Sequence, residues 1–211
     1  MKLLLSFLLV LWGGLTSLPT KGASISPRCA QYKRLLTRIV QSKEGLRAPV
    51  SIYAAQMMQE SGCREDARSV YARSLTQFTP DTAVWVNKLY PEDLKGMETY
   101  SPVWAITAMV LYDRKLLNMF PNAISDCDQW EFGLMSYNGG AGHIIKQRKL
   151  VESSGGDPGN SAQVKLFCSK VRSQLSCNEN IRYPERILGI YTPLFIADGW
   201  GGNMCSSVRV R

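Results

Sequence analysis

Apolar and polar positions recur with a helical period along most of this chain. From Cys29 to Ser42, the apolar residues Tyr32, Leu35, Leu36, Ile39 and Val40 form one stripe of a helix. Pro49 opens a second segment, Val50 to Gln59, whose apolar residues fall on nearly all sides. A helix of that kind belongs in an interior, and Gly62 suits the position just past its end. Asp81 is placed to cap a helix through Val84, Trp85 and Leu89. Ser101-Pro102 starts another, through Trp104, Ile106, Met109, Leu111 and Leu116 to about Asn118, with proline at its first position. A helix from about Asp128 to Ser136 precedes the stretch YNGGAG, which reads as a loop, as does ESSGGDPGNSA at 152–162. Val164 to Leu175 and Ile187 to Tyr191 are the last helical pieces. Strand signals are weak, and only Ala67 to Phe78 has room for a short hairpin.

One position breaks the pattern. The interior helix runs straight into Glu60, Ser61 and Gly62. Burial opposes the charge of a carboxylate, and so does the negative end of a helix dipole. Both raise its pKa, which is how a protein keeps a proton available near neutral pH for a general acid. An ordinary glutamate tipping out of a helix end into water has the same local signature.

Composition narrows the classes. With 211 residues, 45% hydrophobic and 20% charged, the chain can bury one sizeable core. The net charge of +8 favours anionic partners. There is no zinc-ligand spacing, P-loop or aromatic–basic RNA motif, so an acidic wall polymer fits better than nucleic acid. Lys2 followed by the apolar run Leu3 to Trp12 reads as an export signal. A cut after Ser24 leaves Gly22 at the upstream small-residue position, so the signal spans 1–24 and one domain spans 25–211. A weakly held anchor is the other reading of the same segment, and the only membrane contact the sequence offers. Six cysteines, Cys29, Cys63, Cys127, Cys168, Cys177 and Cys205, all follow it. An even count in an exported chain points to three disulfides. Cys168 with Cys177 would make a local clip, and Cys29 with Cys205 would tie the two ends. A single histidine, His143, and the absence of a Cys-x-x-Cys pair argue against a metal site, and His143 reads as a rim residue.

Four blocks carry a family resemblance. They are Met57 to Gly62 (MMQESG), Ala72 to Pro80 (ARSLTQFTP), Ser136 to Gly142 (SYNGGAG) and Glu179 to Leu188 (ENIRYPERIL). In this order they resemble the motifs of the soluble-lytic, goose-lysozyme-like lytic transglycosylases, over about residues 45 to 191. The chain departs from that pattern at Ser74, where the family has glycine, at Thr76, where it has methionine, and at Cys63, where an aromatic residue is common. The resemblance implies an α+β, mainly α, lysozyme-like domain with a small β element beside the cleft. It implies a monomeric enzyme acting on peptidoglycan glycan strands in the periplasm or outside the cell, with no cofactor and no metal.

The resemblance also assigns roles. Glu60 is the catalytic acid. Ser61, Gln77, Tyr137, Asn138 and Tyr183 contact or position the sugar. Asn138 offers both a donor and an acceptor to an acetamido group. Tyr183 corresponds to a tyrosine lying near the acid. Most glycosidases need two carboxyl groups; this family manages with one because the sugar's own 6-hydroxyl closes onto the anomeric carbon. A hydrolysing lysozyme on the same fold stays open, with Glu65, Asp66 or Glu131 as its second carboxylate. A glycan-binding protein with a degenerate site also stays open.

Overall fold

The computed structural model describes residues 25–202 and Cys205. The expected export segment, 1–24, lies outside them. The helices are α1 (Pro27–Ala30), α2 (Lys33–Glu44), α3 (Val50–Ser61), α4 (Pro80–Leu89), α5 (Pro102–Leu117), α6 (Asp126–Gly139), α7 (Ala141–Ser153), α8 (Ser161–Leu166), α9 (Gln174–Pro184) and α10 (Thr192–Ala197). A 3₁₀ turn, Cys168–Lys170, precedes α9, and a π-helical segment, Glu185–Tyr191, follows it.

Helix α3 is the axis of the fold. Every residue from Val50 to Met57 is buried, as the all-round apolar pattern requires. Around it pack α2, α10 and the π-helical segment, and Gln56 bonds to Asp113 of α5. Tyr53 meets Trp130 of α6 edge to face at 5.4 Å. Helix α5 is nearly as enclosed, from Trp104 through Leu111. A second, smaller cluster joins Phe120 and Phe132 to Ile144, Val151 and Val164, and seats α7 and α8 against α6.

Most helix boundaries follow their caps. Ser101 accepts from the Trp104 amide with Pro102 at the first position, as expected. Gly62 ends α3 in the left-handed conformation, φ 61°, its amide bonded to the Met58 carbonyl. The cap of α4 is Thr79 rather than Asp81: Pro80 opens the helix, which puts Asp81 inside the first turn, where its charge still complements the dipole.

Three expectations change more. YNGGAG is not a loop: α6 continues through Tyr137 and Asn138 to Gly139, and α7 begins at Ala141, so only Gly140, at φ 87°, separates them. The segment from Val164 to Leu175 is broken between α8, the 3₁₀ turn and α9, and the loop at 152–162 shrinks to 154–160. No strand forms among the described residues. Between Ala67 and Phe78 there are only two isolated antiparallel bridges, Arg68 with Arg73 and Arg73 with Phe78. Ser74, at φ 69°, and Gln77, at φ 47°, twist this stretch out of any regular ladder.

The six cysteines pair as Cys29–Cys63, Cys127–Cys205 and Cys168–Cys177. The local clip matches the sequence expectation. The Cys29–Cys205 pairing does not: Cys29 lies against the end of α3, with its Cα 5.1 Å from that of Cys63. Cys205 instead reaches the first turn of α6, where its Cα is 4.8 Å from that of Cys127. Among the described residues no helix is long and apolar enough to cross a membrane.

Candidate active site

A cleft of about 690 Å³ opens where α3 ends. The C-terminal turn of α3 supplies its floor, with Gln59 and Glu60. The bridged loop supplies one wall through Ser69, Tyr71, Ala72, Gln77 and Phe78. The end of α6 contributes Tyr137 and Asn138. The opposite wall comes from α9 and the π-helical segment, through Glu179, Arg182, Tyr183 and Arg186.

Glu60 is half-buried at the bottom. Burial pushes its pKa up to about 8, and a hydrogen bond from the Tyr183 hydroxyl to Oε1 opposes that rise by favouring the anion. Tyr183 is 5% exposed and presents that hydroxyl from the last turn of α9. Pro184 next to it has no N–H for the helix ladder, and the chain passes directly into the π-helical segment. The Thr192 hydroxyl donates to the Ile187 carbonyl there at 2.7 Å. A buried pair lies beneath the floor: Gln56, one turn before Glu60, donates to Asp113 of α5 at 3.2 Å. Burial holds the Asp113 carboxyl well above the ordinary range.

The other expected residues divide. Tyr137 lines the cleft and donates to the Thr76 carbonyl at 2.7 Å, with its ring against Phe78 and Tyr112. Gln77 lines the cleft, but its amide nitrogen is occupied by the carbonyls of Ser74 at 2.8 Å and Ala67 at 3.2 Å. Its side-chain oxygen is the atom left for a ligand. Asn138 lines the cleft, and its Oδ1 accepts from Asn180 at 3.1 Å, which fixes the amide. Ser61 is not a cleft residue. It is 7% exposed and its hydroxyl donates back to the Leu75 carbonyl at 2.8 Å, tying the end of α3 to the wall loop. Its position one residue past Glu60 turns it to the interior side of the last helical turn.

Ser74 stands where the resembling family has glycine, and its φ of 69° is the physical reason a glycine fits there. The hydroxyl compensates by donating to the Tyr100 carbonyl at 2.7 Å. Cys63, also at positive φ, carries the disulfide that anchors the turn after Glu60.

Several residues of the site escape the motif reading. Asn180 is 1% exposed and donates to both the Met135 carbonyl and Asn138. It lies inside the matched block ENIRYPERIL, and no periodicity marks it. Tyr71 is 78% exposed at the cleft rim, on a turn in which Ser69 Oγ accepts from the amides of Tyr71 and Ala72. In the sequence it is an aromatic residue two positions after Ser69, with no periodicity that marks it. Of the carboxylates considered as a second catalytic group, Glu65 accepts from Tyr32 at 3.0 Å and opens onto other cavities with Asp66. Glu131 pairs with Lys165 at 2.7 Å. None of the three lines the cleft; Glu179 is the carboxylate that shares it with Glu60.

Residues 39–158 match the family model of the transglycosylase SLT domain. The chain is similar to membrane-bound lytic murein transglycosylase F of Pasteurella multocida, 32% identical over 115 residues, which is 54% of this chain and 22% of that protein. It is likewise similar to the Vibrio cholerae protein of the same name, 39% identical over 115 residues, 54% of this chain and 20% of that one. The matched stretch is thus about a fifth of the length of these relatives. Residues 39–158, the span of the family match, contain Glu60, the wall loop and the end of α6.

Proposed function

The chain belongs to the transglycosylase SLT family, and on that premise we propose that it is an exported lytic transglycosylase. Its substrate is the glycan strand of peptidoglycan, cut between N-acetylmuramic acid and N-acetylglucosamine. The observation that carries this reading is Glu60, half-buried on the cleft floor, with its pKa raised to about 8 by burial. At neutral pH that group is mostly protonated, as a general acid must be.

Glu60 protonates the glycosidic oxygen as the bond to the anomeric carbon breaks. The acetamido group of the muramic sugar supports the positive charge that develops. The Glu60 anion then removes the proton of the 6-hydroxyl, whose oxygen closes onto the anomeric carbon. The product is a 1,6-anhydro end, and Glu60 is again protonated. Tyr183 eases the first half of the cycle, because its hydroxyl stabilises the anion that forms when Glu60 gives up its proton. Tyr137, Asn138 and the Gln77 carbonyl oxygen hold the sugar. Ser61 holds the wall loop rather than substrate. The bridged loop at 68–78 is this chain's counterpart of the family's small β element. Export to the periplasm or beyond agrees with three disulfides and with relatives whose names call them membrane-bound. The protein acts as a monomer, and its membrane contact is confined to the N-terminal segment.

A hydrolytic outcome requires a carboxylate that activates water opposite the acid. Glu65, Asp66 and Glu131 lie outside the cleft, and Glu179 is the carboxylate that shares it with Glu60, so a hydrolytic reading passes to Glu179. The direct test is a zymogram on gels containing cell walls. Clearing by the wild type and none by a folded Glu60→Gln variant is expected; clearing by the variant would remove Glu60 from the mechanism.

A further inference from the structure

Gln56 and Asp113, the pair beneath the cleft floor, are closed to solvent at 0% and 1% exposure. Gln56 Nε2 donates to Asp113 Oδ1 at 3.2 Å. The remaining oxygen of each group is orphaned: Gln56 Oε1 and Asp113 Oδ2 are both buried and neither has a partner. Both are acceptors when Asp113 is ionised, so neither can satisfy the other. Two unsatisfied oxygens in one buried pair are costly to a fold.

Asp113 also lacks a counter-ion. None of the ion pairs among the described residues involves it. Glu60 and Tyr53 of α3 and Glu44 of α2 are the titratable groups around it on those helices. Tyr112 of α5, Tyr137 of α6 and Tyr183 of α9 add hydroxyls that stay neutral at ordinary pH. Arg114, next to Asp113 in sequence, is engaged by Glu44 at 3.5 Å and by the Lys43 carbonyl at 3.0 Å. Burial therefore holds the Asp113 carboxyl well above the ordinary range, and the charge of Glu60 adds to that rise, whereas burial alone raises Glu60.

A single proton resolves both orphans. Placed on Asp113 Oδ2, it turns that atom into a donor for Gln56 Oε1, and the acid and the amide close a ring of two hydrogen bonds. We propose that Asp113 is a positioning residue carried as the neutral acid, donating from Oδ2 to Gln56 Oε1 while Gln56 Nε2 donates to its Oδ1, so that the turn of α3 leading to Glu60 is tied to α5 with no second charge beneath the acid. The positioning role rests on the catalytic reading of Glu60 above; the protonation state of the pair does not.

Infrared difference spectra near neutral pH, in a Glu60→Gln background, read the proton directly. The expected result is the C=O stretch of a protonated carboxyl that Asp113→Asn removes; absence of that band overturns the proposal. Kinetics read the tether. Gln56→Leu combined with Asp113→Leu replaces the pair by apolar side chains of similar volume and leaves no orphan, so the fold survives. Its kcat is expected to fall about tenfold as Glu60 loses its aim. Asp113→Asn, whose amide accepts from Gln56 Nε2 and donates to Oε1, recovers most of that rate and keeps the alkaline limb of the pH–rate profile in place. An undiminished kcat in the double variant overturns the positioning role. An alkaline limb that moves down by about one unit in Asp113→Asn reveals an anion in the wild type and overturns the neutral acid. The band present in a chain whose wild type never cleaves glycan would keep the neutral pair and discard the catalytic reading of Glu60.

Discussion

Replacing Glu60 by glutamine should make the protein inactive and more stable at once, and the gain should grow with pH in a calculable way. In the fold, burial raises the carboxyl from the ordinary 4.5 to about 8. An acid with a raised folded pKa contributes no penalty below its unfolded value. Between the two values, deprotonation favours the unfolded chain, so stability falls as pH climbs from about 4.5 to about 8 and then levels off. At about 1.36 kcal/mol per pH unit, the penalty is about 1 kcal/mol at pH 5, about 3 at pH 7 and about 5 above pH 9. Glutamine has no charge to bury, and its amide oxygen can accept the Tyr183 hydroxyl that Glu60 accepts now. Urea denaturation of wild type and Glu60→Gln at pH 5, 7 and 9 therefore should give stability differences that widen in favour of the variant. A difference independent of pH would show that Glu60 is not held protonated by burial. A variant less stable at all three pH values would make Glu60 a structural anion, and the acid assignment would fail with it.

Three further outcomes follow from the same geometry. Tyr183→Phe removes the donor that stabilises the Glu60 anion, so Glu60 titrates still higher, the alkaline limb of the pH–rate profile moves up and kcat falls roughly tenfold; an unmoved limb separates the two residues functionally. Ser74→Gly relieves about 1 kcal/mol of left-handed strain and loses a hydrogen bond of similar worth, so its unfolding midpoint stays close to wild type, whereas Ser74→Val loses more than about 2 kcal/mol; equal losses in the two variants would deny that backbone conformation sets this position. Removing the Cys29–Cys63 bridge opens a 34-residue loop and costs about 4 kcal/mol by the chain-entropy relation, more than removing the nine-residue Cys168–Cys177 clip at about 2.6; the reverse order in thermal unfolding would contradict it.

The sequence made the buried axis legible because α3 and α5 are apolar on all sides, a pattern that only an interior tolerates. Glu60 was visible for the same reason, as a charge at the end of such a helix. Helix α7 was not, although Ile144 and Val151 mark a buried face. The glycines of YNGGAG read as loop residues, when in fact Gly140 alone makes the turn and Gly139 is small because Arg172 and Asn180 press against it. The distinction between lining the cleft and bracing its wall was also out of reach. Ser61 and Gln77 sit in matched motifs, yet the Ser61 hydroxyl and the Gln77 amide nitrogen bond to backbone carbonyls of the wall loop. Long-range cysteine pairing depends on how α1 and the C-terminal segment dock, which no local pattern records.

The central claim is that a single acid and the sugar's own hydroxyl complete the reaction without water. Mass spectrometry of the fragments released from purified peptidoglycan tests it most directly, with Glu60→Gln as the control. The account predicts muropeptides ending in 1,6-anhydro-N-acetylmuramic acid, lighter by one water than hydrolytic products and resistant to borohydride reduction, and none from the variant. Reducing ends that take up borohydride, released by the wild type, would contradict it and make the protein a hydrolase.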